Sequence, residues 1–340
     1  MLLNNCIKLG LAKIIYSMKL HGLDSLRFLG FLLLFICHTA GVEYYGYKVV
    51  SFFFILSSFL LTYLSLTEID KTGRFSKTNF FMRRMLRIFP LYYLILFFSF
   101  FLLPILSKYM GMDITLPEKK YLYYFFLSNY DNSDHLFSLK FLWSIAVEEQ
   151  FYLFFLLLSP LYKKYFLIPL LLMLVIYCCY MNLIDHLELT TFGKIFPHFA
   201  NFLSGMAAAW YFKYKTYTLK STLVLFIVTS LLVFAVSSNE TLFNLLVSID
   251  FGILILLTLK FFSTKKNQNL KFVSIMEKLG VYTYGLYVYS GFVITFGLKY
   301  INQSNLLIAI VLELLILILI ASLSYHLYEK HFLQLKKYFR

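Results

Sequence analysis

An arginine and a histidine stand eleven residues apart in the first long apolar stretch, LDSLRFLGFLLLFICHTAG, as Arg27 and His38. On an α-helix eleven steps make about three turns plus roughly 20°, so both side chains share one face, about 16 Å apart along the axis. Ionisable groups inside an apolar span are costly and mark functional positions. A histidine there can act as a general base or be a structural histidine bonded to a neighbouring helix. A second set, Glu148 and Glu149, lies in LWSIAVEEQFYLFF. Adjacent helical positions point about 100° apart, so the two carboxylates cannot share one partner, and at least one must pair internally. A third set, Arg83, Arg84 and Arg87 in FFMRRMLRIFPLYYL, brings guanidinium groups together at spacings of three to four. Such a cluster is a topology signal, a lipid-phosphate anchor or a holder of a phosphorylated cofactor. Ser57 and Ser58 fall in mid-span in FFFILSSFLLT, where serines either pack helices closely or line a tunnel. Tyr282, Tyr284, Tyr287 and Tyr289 near the C-terminus fit an aromatic belt.

The elements that carry these groups must cross a membrane. Of the 340 residues, 60% are hydrophobic and only 14% charged, whereas a soluble domain has about 25% charged residues. This composition excludes an ordinary soluble enzyme. The net charge of +14 would suggest nucleic acid in a soluble chain, but here it follows from basic residues collecting on the cytoplasmic side, and no nucleic-acid partner is expected. Ten spans of about 20 apolar residues are read, near 23–41, 48–66, 88–107, 138–160, 165–182, 194–212, 221–238, 241–262, 279–298 and 305–327. The basic residues of 67–87, Lys163 and Lys164, the lysines of 213–220 and 265–278, and the tail after 327 then fall on one side. The expected fold is an all-α polytopic membrane protein of about ten transmembrane helices with both termini cytoplasmic. Residues 1–18 read as a cationic segment lying on the membrane surface, 19–335 as one membrane domain and 336–340 as a basic tail.

Other chemistries find no support. The remaining histidines, His21, His135, His186, His198, His326 and His331, show no metal-ligand spacing, and no metal is expected. The cysteines form no zinc or disulfide pattern, and Cys37, Cys178 and Cys179 read as small buried hydrophobes. No phosphate-binding loop, nucleophile elbow or dinucleotide fingerprint is present.

Taken together, the motifs resemble the bacterial membrane acyltransferase family 3, whose members O-acylate cell-surface glycans. The resemblance spans roughly 19–335. LDSLRFLGFLLLFICH is similar to the family's opening LDGLRAxA…H, and FFFILSSFLLT to FFxLSGFL with Ser58 in place of the usual glycine. RRMLRIFPLYY resembles RRxxRIxPxYY, LWSIAVEEQFYLFF resembles WSLxVExQFYxL, and FPHFANFLSGMAAA resembles a later F…FxxGxxxA segment. LGVYTYGLYVYSGF resembles LGxxSYxxYLxHxP, with Thr283 for serine and Ser290 where a histidine is often found.

The resemblance implies an acyl-CoA donor, usually acetyl-CoA, on the cytoplasmic face of a bacterial inner membrane. It implies an acceptor hydroxyl on an outward-facing glycan or lipid-linked saccharide. On that reading His38, Glu148 and Arg27 carry the catalysis. Arg27, Arg84, Arg87 and Tyr152 hold the donor, and Ser57 and Tyr284 line the substrate path. The rival is a transporter or flippase of a glycan or lipid-linked intermediate, which would share the spans and buried charges but would not engage a thioester.

Overall fold

The structure is a computed structural model that describes residues 20–109, 111, 114–133, 136–187, 194–236, 238–268, 270–300 and 306–339. Residues 1–18, read above as an interfacial segment, lie outside the described residues. The described residues are mostly helical and form no strand. The long helices are α1 (Leu23–Thr39), α2 (Glu43–Thr72), α3 (Lys77–Phe97), α4 (Leu142–Leu158), α5 (Leu167–Leu187), α6 (Phe199–Tyr214), α7 (Leu219–Ala235), α8 (Glu240–Phe261), α9 (Thr283–Tyr300) and α10 (Leu306–Ser324). Among the described residues, five helical stretches are long and apolar enough to cross a membrane: Gly46–Thr72, Lys77–Tyr109, Ser138–Leu161, Glu240–Phe261 and Leu307–Phe339. Two shorter apolar helices, Leu167–Leu183 and Leu219–Ala235, accompany them.

The central element is α2. Of its most apolar window, 72% is buried, against 22% for the last stretch, so α2 is the pillar and α10 a lipid-facing wall. It packs against α1, α6 and α8. The crossing with α6 is tight. A Cβ on Gly205 would lie 2.2 Å from the Ile55 carbonyl oxygen and 2.0 Å from Ser58 Oγ. Ser58, standing where the related motif has glycine, is therefore housed by the missing side chain of Gly205, and its hydroxyl donates to the Ile55 carbonyl at 3.0 Å. Small residues at helix crossings are how membrane helices gain contact without a hydrophobic driving force.

Two segments differ from the expected spans. The third helix starts at Lys77, about three turns before residue 88, because Ser76 caps it: its hydroxyl accepts the Asn79 N–H at 3.3 Å. Arg83, Arg84 and Arg87 thus project from a formed helix and keep a fixed spacing. Pro90 lies inside this helix, and tyrosines of the C-terminal helices collect carbonyls beside it. Tyr284 donates to the Ile88 oxygen at 2.8 Å and Tyr328 to the Pro90 oxygen at 3.3 Å. The second difference is at the C-terminus. After α10 the chain makes a π turn, Tyr325–Glu329, and residues 336–339 form a 3₁₀ turn. There the Phe339 carbonyl accepts from Arg83 Nη1 at 2.7 Å.

The foot of α1 is clamped from the side. Gly280, ending the amphipathic helix Lys271–Gly280, comes so close that a Cβ would meet the Asp24 carbonyl oxygen at 2.0 Å. Glu277 of the same helix accepts the Gly22 N–H at 3.0 Å. These contacts fix the height and rotation of the helix that carries Arg27 and His38.

Because the space at the α2–α6 crossing is filled by backbone, Gly205→Ala should destabilise the protein by about 1–3 kcal/mol. Thermal melts in detergent should show a lower midpoint, and an unchanged midpoint would contradict the tight crossing.

Candidate active site

Two chambers lie end to end in the helix bundle. The first has a volume of about 240 Å³ and is lined by Arg27, Arg84, Arg87, Ser57, Glu148, Tyr152 and Tyr284, among others. Every donor-side and path residue expected from the sequence is therefore brought together in it. The second, of about 380 Å³, is lined by His38 with Tyr47, Trp143, Tyr123, Asn129, Asp131, Asn132 and Lys140. His38 does not share the arginine chamber, so the single helix face predicted for Arg27 and His38 runs past both.

The helices pass from one chamber to the other in a consistent order. On α1, Arg27 lines the first chamber and His38 the second. On α2, running the opposite way, Tyr47 lines the second and Ser57 the first. On α4, Trp143 lines the second, and Glu148 and Tyr152 the first.

In the arginine chamber the polar groups form a chain. Tyr152 donates to Glu148 Oε2 at 2.9 Å, so the hydroxyl of Ser57, 3.0 Å away, donates to Tyr152. The Arg84 guanidinium lies over the Tyr152 ring, 5.7 Å from its centroid, and Arg27 pairs with Asp24. Arg27, Arg84 and Arg87 are all within electrostatic range of Glu148. Three cations against the two carboxylates of Glu148 and Asp24 leave the cavity net positive, with room for further negative charge. Tyr284 spends its hydroxyl on the Ile88 carbonyl and contributes its ring to the wall. Glu149, turned about a quarter-circle from Glu148, is buried away from the chamber, and its Oε1 has no hydrogen-bond partner among the described residues.

The histidine chamber is built differently. The His38 ring meets Phe141 edge-on at 4.7 Å, and Tyr47 stacks on Trp143 with centroids 5.9 Å apart and planes at 16°. Polar groups face this aromatic surface from the segment after α3. Gln150 donates to Asn129 Oδ1 at 2.7 Å and to the Phe126 carbonyl at 2.9 Å. Phe126 holds φ = 55°, a left-handed conformation uncommon for a bulky residue, and packs on Tyr92 at 4.3 Å. Tyr123 donates to Asp131 Oδ2 at 3.1 Å. Burial and the nearby carboxylate hold its phenol well above its ordinary range, so it stays a hydrogen-bond donor. An aromatic platform ringed by hydroxyl, amide and carboxylate groups suits a polyhydroxylated ligand with apolar ring faces.

Several groups here were not singled out from the sequence. Trp143, Asn129, Asp131 and Lys140 line the histidine chamber, and only Trp143 belongs to a quoted motif. His198 is fully buried behind the platform, 5.7 Å from Trp143 and 5.8 Å from Tyr47, with no hydrogen-bond partner for its Nε2 among the described residues. Glu329, brought inward by the π turn, is within electrostatic range of Arg87. Lys336 is within range of Arg83, Arg84 and Arg87. Ser290, where related chains often have histidine, lines neither chamber and donates to the Tyr287 carbonyl of its own helix at 2.7 Å.

O-acetyltransferase OatA of Staphylococcus aureus (strain NCTC 8325) is 33% identical over 144 residues, covering 40% of this chain and 24% of that protein. A putative O-acetyltransferase of S. aureus (strain COL), SACOL0978, is 32% identical over 146 residues, covering 39% of this chain and 24% of that protein. The aligned part of the chain thus spans about a quarter of the length of these curated relatives. No solved structure matches significantly. The model of the acyltransferase domain family (acyltransferase family 3) matches residues 20–327, nearly the whole of the described fold, and the chain belongs to that family.

Proposed function

We propose that this chain is a membrane O-acetyltransferase. It takes an acyl group, acetyl in the first instance, from acyl-CoA in the arginine chamber. It delivers that group to a hydroxyl of a glycan or lipid-linked saccharide in the histidine chamber. The observation that carries the reading is the arrangement of two chemically opposite chambers along the same helices, a cationic one and an aromatic–polar one containing a histidine. A path for a flipped lipid or sugar would need no such segregation of phosphate-type and sugar-type surfaces.

The orientation follows from charge. In this reading the arginine chamber faces the end of the bundle where Lys336 comes within electrostatic range of Arg83, Arg84 and Arg87, the end that basic residues assign to the cytoplasm. On this reading the chain makes ten crossings with both termini on that side, and the histidine chamber would face outward from a bacterial cytoplasmic membrane.

In this reading Arg84 and Arg87 bind the anionic phosphates of the donor, and Arg27, tied to Asp24, completes the cationic wall. Glu148 keeps the arginines mutually compatible and fixes Tyr152. His38 accepts the proton of the acceptor hydroxyl as its oxygen attacks the thioester carbonyl carbon. The carbon–sulfur bond breaks, the sugar ester forms, and the CoA thiolate leaves and is protonated to the thiol. Tyr47 and Trp143 carry the acceptor's ring face.

His38→Ala should lower transfer from acetyl-CoA by about 10²–10⁴-fold while CoA binding persists. Full activity in the folded variant would overturn the reading. Arg84→Gln and Arg87→Gln should each raise KM for acetyl-CoA by roughly 10- to 100-fold, about 1.5–3 kcal/mol per lost charge-assisted contact, with kcat little changed. Unchanged KM in both would remove the arginine chamber from donor binding. Purified protein incubated with labelled acetyl-CoA separates transferase from transporter, since saturable thioester binding or turnover belongs only to the former.

A further inference from the structure

The basic cluster divides by what each cation already holds. Arg83 is committed: it pairs with Glu68 at 3.1 Å and donates to the Phe339 carbonyl at 2.7 Å. Together with the Tyr328 hydroxyl, which donates to the Pro90 carbonyl at 3.3 Å, that bond fastens the segment after α10 to α3. The fastened segment carries Lys336, half-buried and within electrostatic range of Arg83, Arg84 and Arg87. Arg84, Arg87 and Lys336 are uncommitted: none of them donates a hydrogen bond to, or forms an ion pair with, another described residue. Like charges held this close repel. Their grouping suits a ligand that carries more than one negative charge.

A CoA thioester presents its charges in a fixed order. From the thioester outward come the pantetheine arm, a diphosphate and a ribose that bears the 3′-phosphate. The arginine chamber, of about 240 Å³, is smaller than the roughly 300–1,000 Å³ of cavities that enclose a drug-sized ligand, so the nucleotide end of CoA has to lie outside it. Arg84 and Arg87 line the chamber, whereas Lys336 stands near both without being part of the lining. The cations therefore follow the same order as the phosphates. We propose that Lys336 binds the 3′-phosphate of the donor nucleotide while Arg84 and Arg87 take the diphosphate, so that the chain selects CoA thioesters over donors lacking that phosphate. The inference rests on the donor reading of the arginine chamber given above.

Equilibrium binding of CoA and of 3′-dephospho-CoA to the purified full chain isolates that one phosphate. The unaltered chain should bind CoA at least about tenfold more tightly than 3′-dephospho-CoA, the size of one charge-assisted contact. Lys336→Gln should abolish this preference by weakening CoA while leaving the affinity for 3′-dephospho-CoA where it was. Lys336→Arg should keep the preference, because a guanidinium also binds phosphate. Arg84→Gln should weaken both ligands and leave their ratio unchanged. The ratio compares two dissociation constants on the same protein, so it does not depend on how much of a variant is folded. A preference that survives Lys336→Gln, or no preference in an unaltered chain that binds both ligands, overturns the assignment of Lys336 alone. An unaltered, folded chain that binds neither ligand overturns the donor reading of the chamber, and the assignment with it.

Discussion

A charged side chain facing lipid hydrocarbon costs several kcal/mol, so Arg27, Arg84, Arg87, Glu148 and His38 have to turn toward one another or toward water. That constraint organises the bundle. The groups sit on helices whose other faces are apolar, and turning the polar faces inward leaves cavities between the helices, since arginine and carboxylate heads cannot pack like hydrocarbon. The arginine chamber is the consequence: three guanidinium groups and one carboxylate lie around a common space, with Tyr152 and Ser57 completing the hydrogen bonds.

The same rule explains polar groups far from the chambers. Asp250 on α8 accepts from Thr229 at 2.6 Å and from Ser230 at 3.0 Å, both on α7, a helix otherwise largely exposed. Lys48 donates to Asn244 at 2.6 Å. These bonds tie peripheral helices to the pillar through the few groups that lipid cannot solvate. Tight backbone approaches at Gly205 and Gly280 then set the registers of α6 against α2 and of α1 against its supporting helix. The positions of Arg27 and His38 are thus fixed by contacts that involve neither residue.

Much of this was legible in the sequence because membrane helices leave a strong imprint. The apolar runs locate the helices, the cost of buried charge marks Arg27, His38, Glu148 and the arginine cluster, and the quoted motifs tie them into one family. What was not legible depends on local geometry. The early start of α3 comes from the Ser76 cap, and the inward turn of Glu329 comes from a π insertion with no distinct signature. Tyr287, which lines both chambers, looked like one tyrosine of an aromatic belt. The histidine chamber was hardest to foresee, because Asn129, Asp131 and Lys140 come from a connecting segment whose composition is unremarkable and whose shape depends on the left-handed Phe126.

The central claim is that the two chambers open to opposite faces of the membrane. Single cysteines placed at Ser57 and at Asn132, in a chain with Cys6, Cys37, Cys178 and Cys179 replaced by serine, can be probed with a membrane-impermeant maleimide on oriented vesicles. Asn132→Cys should label only from the outer face. Ser57→Cys should label only from the cytoplasmic face and be protected there by acetyl-CoA. Labelling of both positions from the same face, with no protection by acetyl-CoA, would contradict the account.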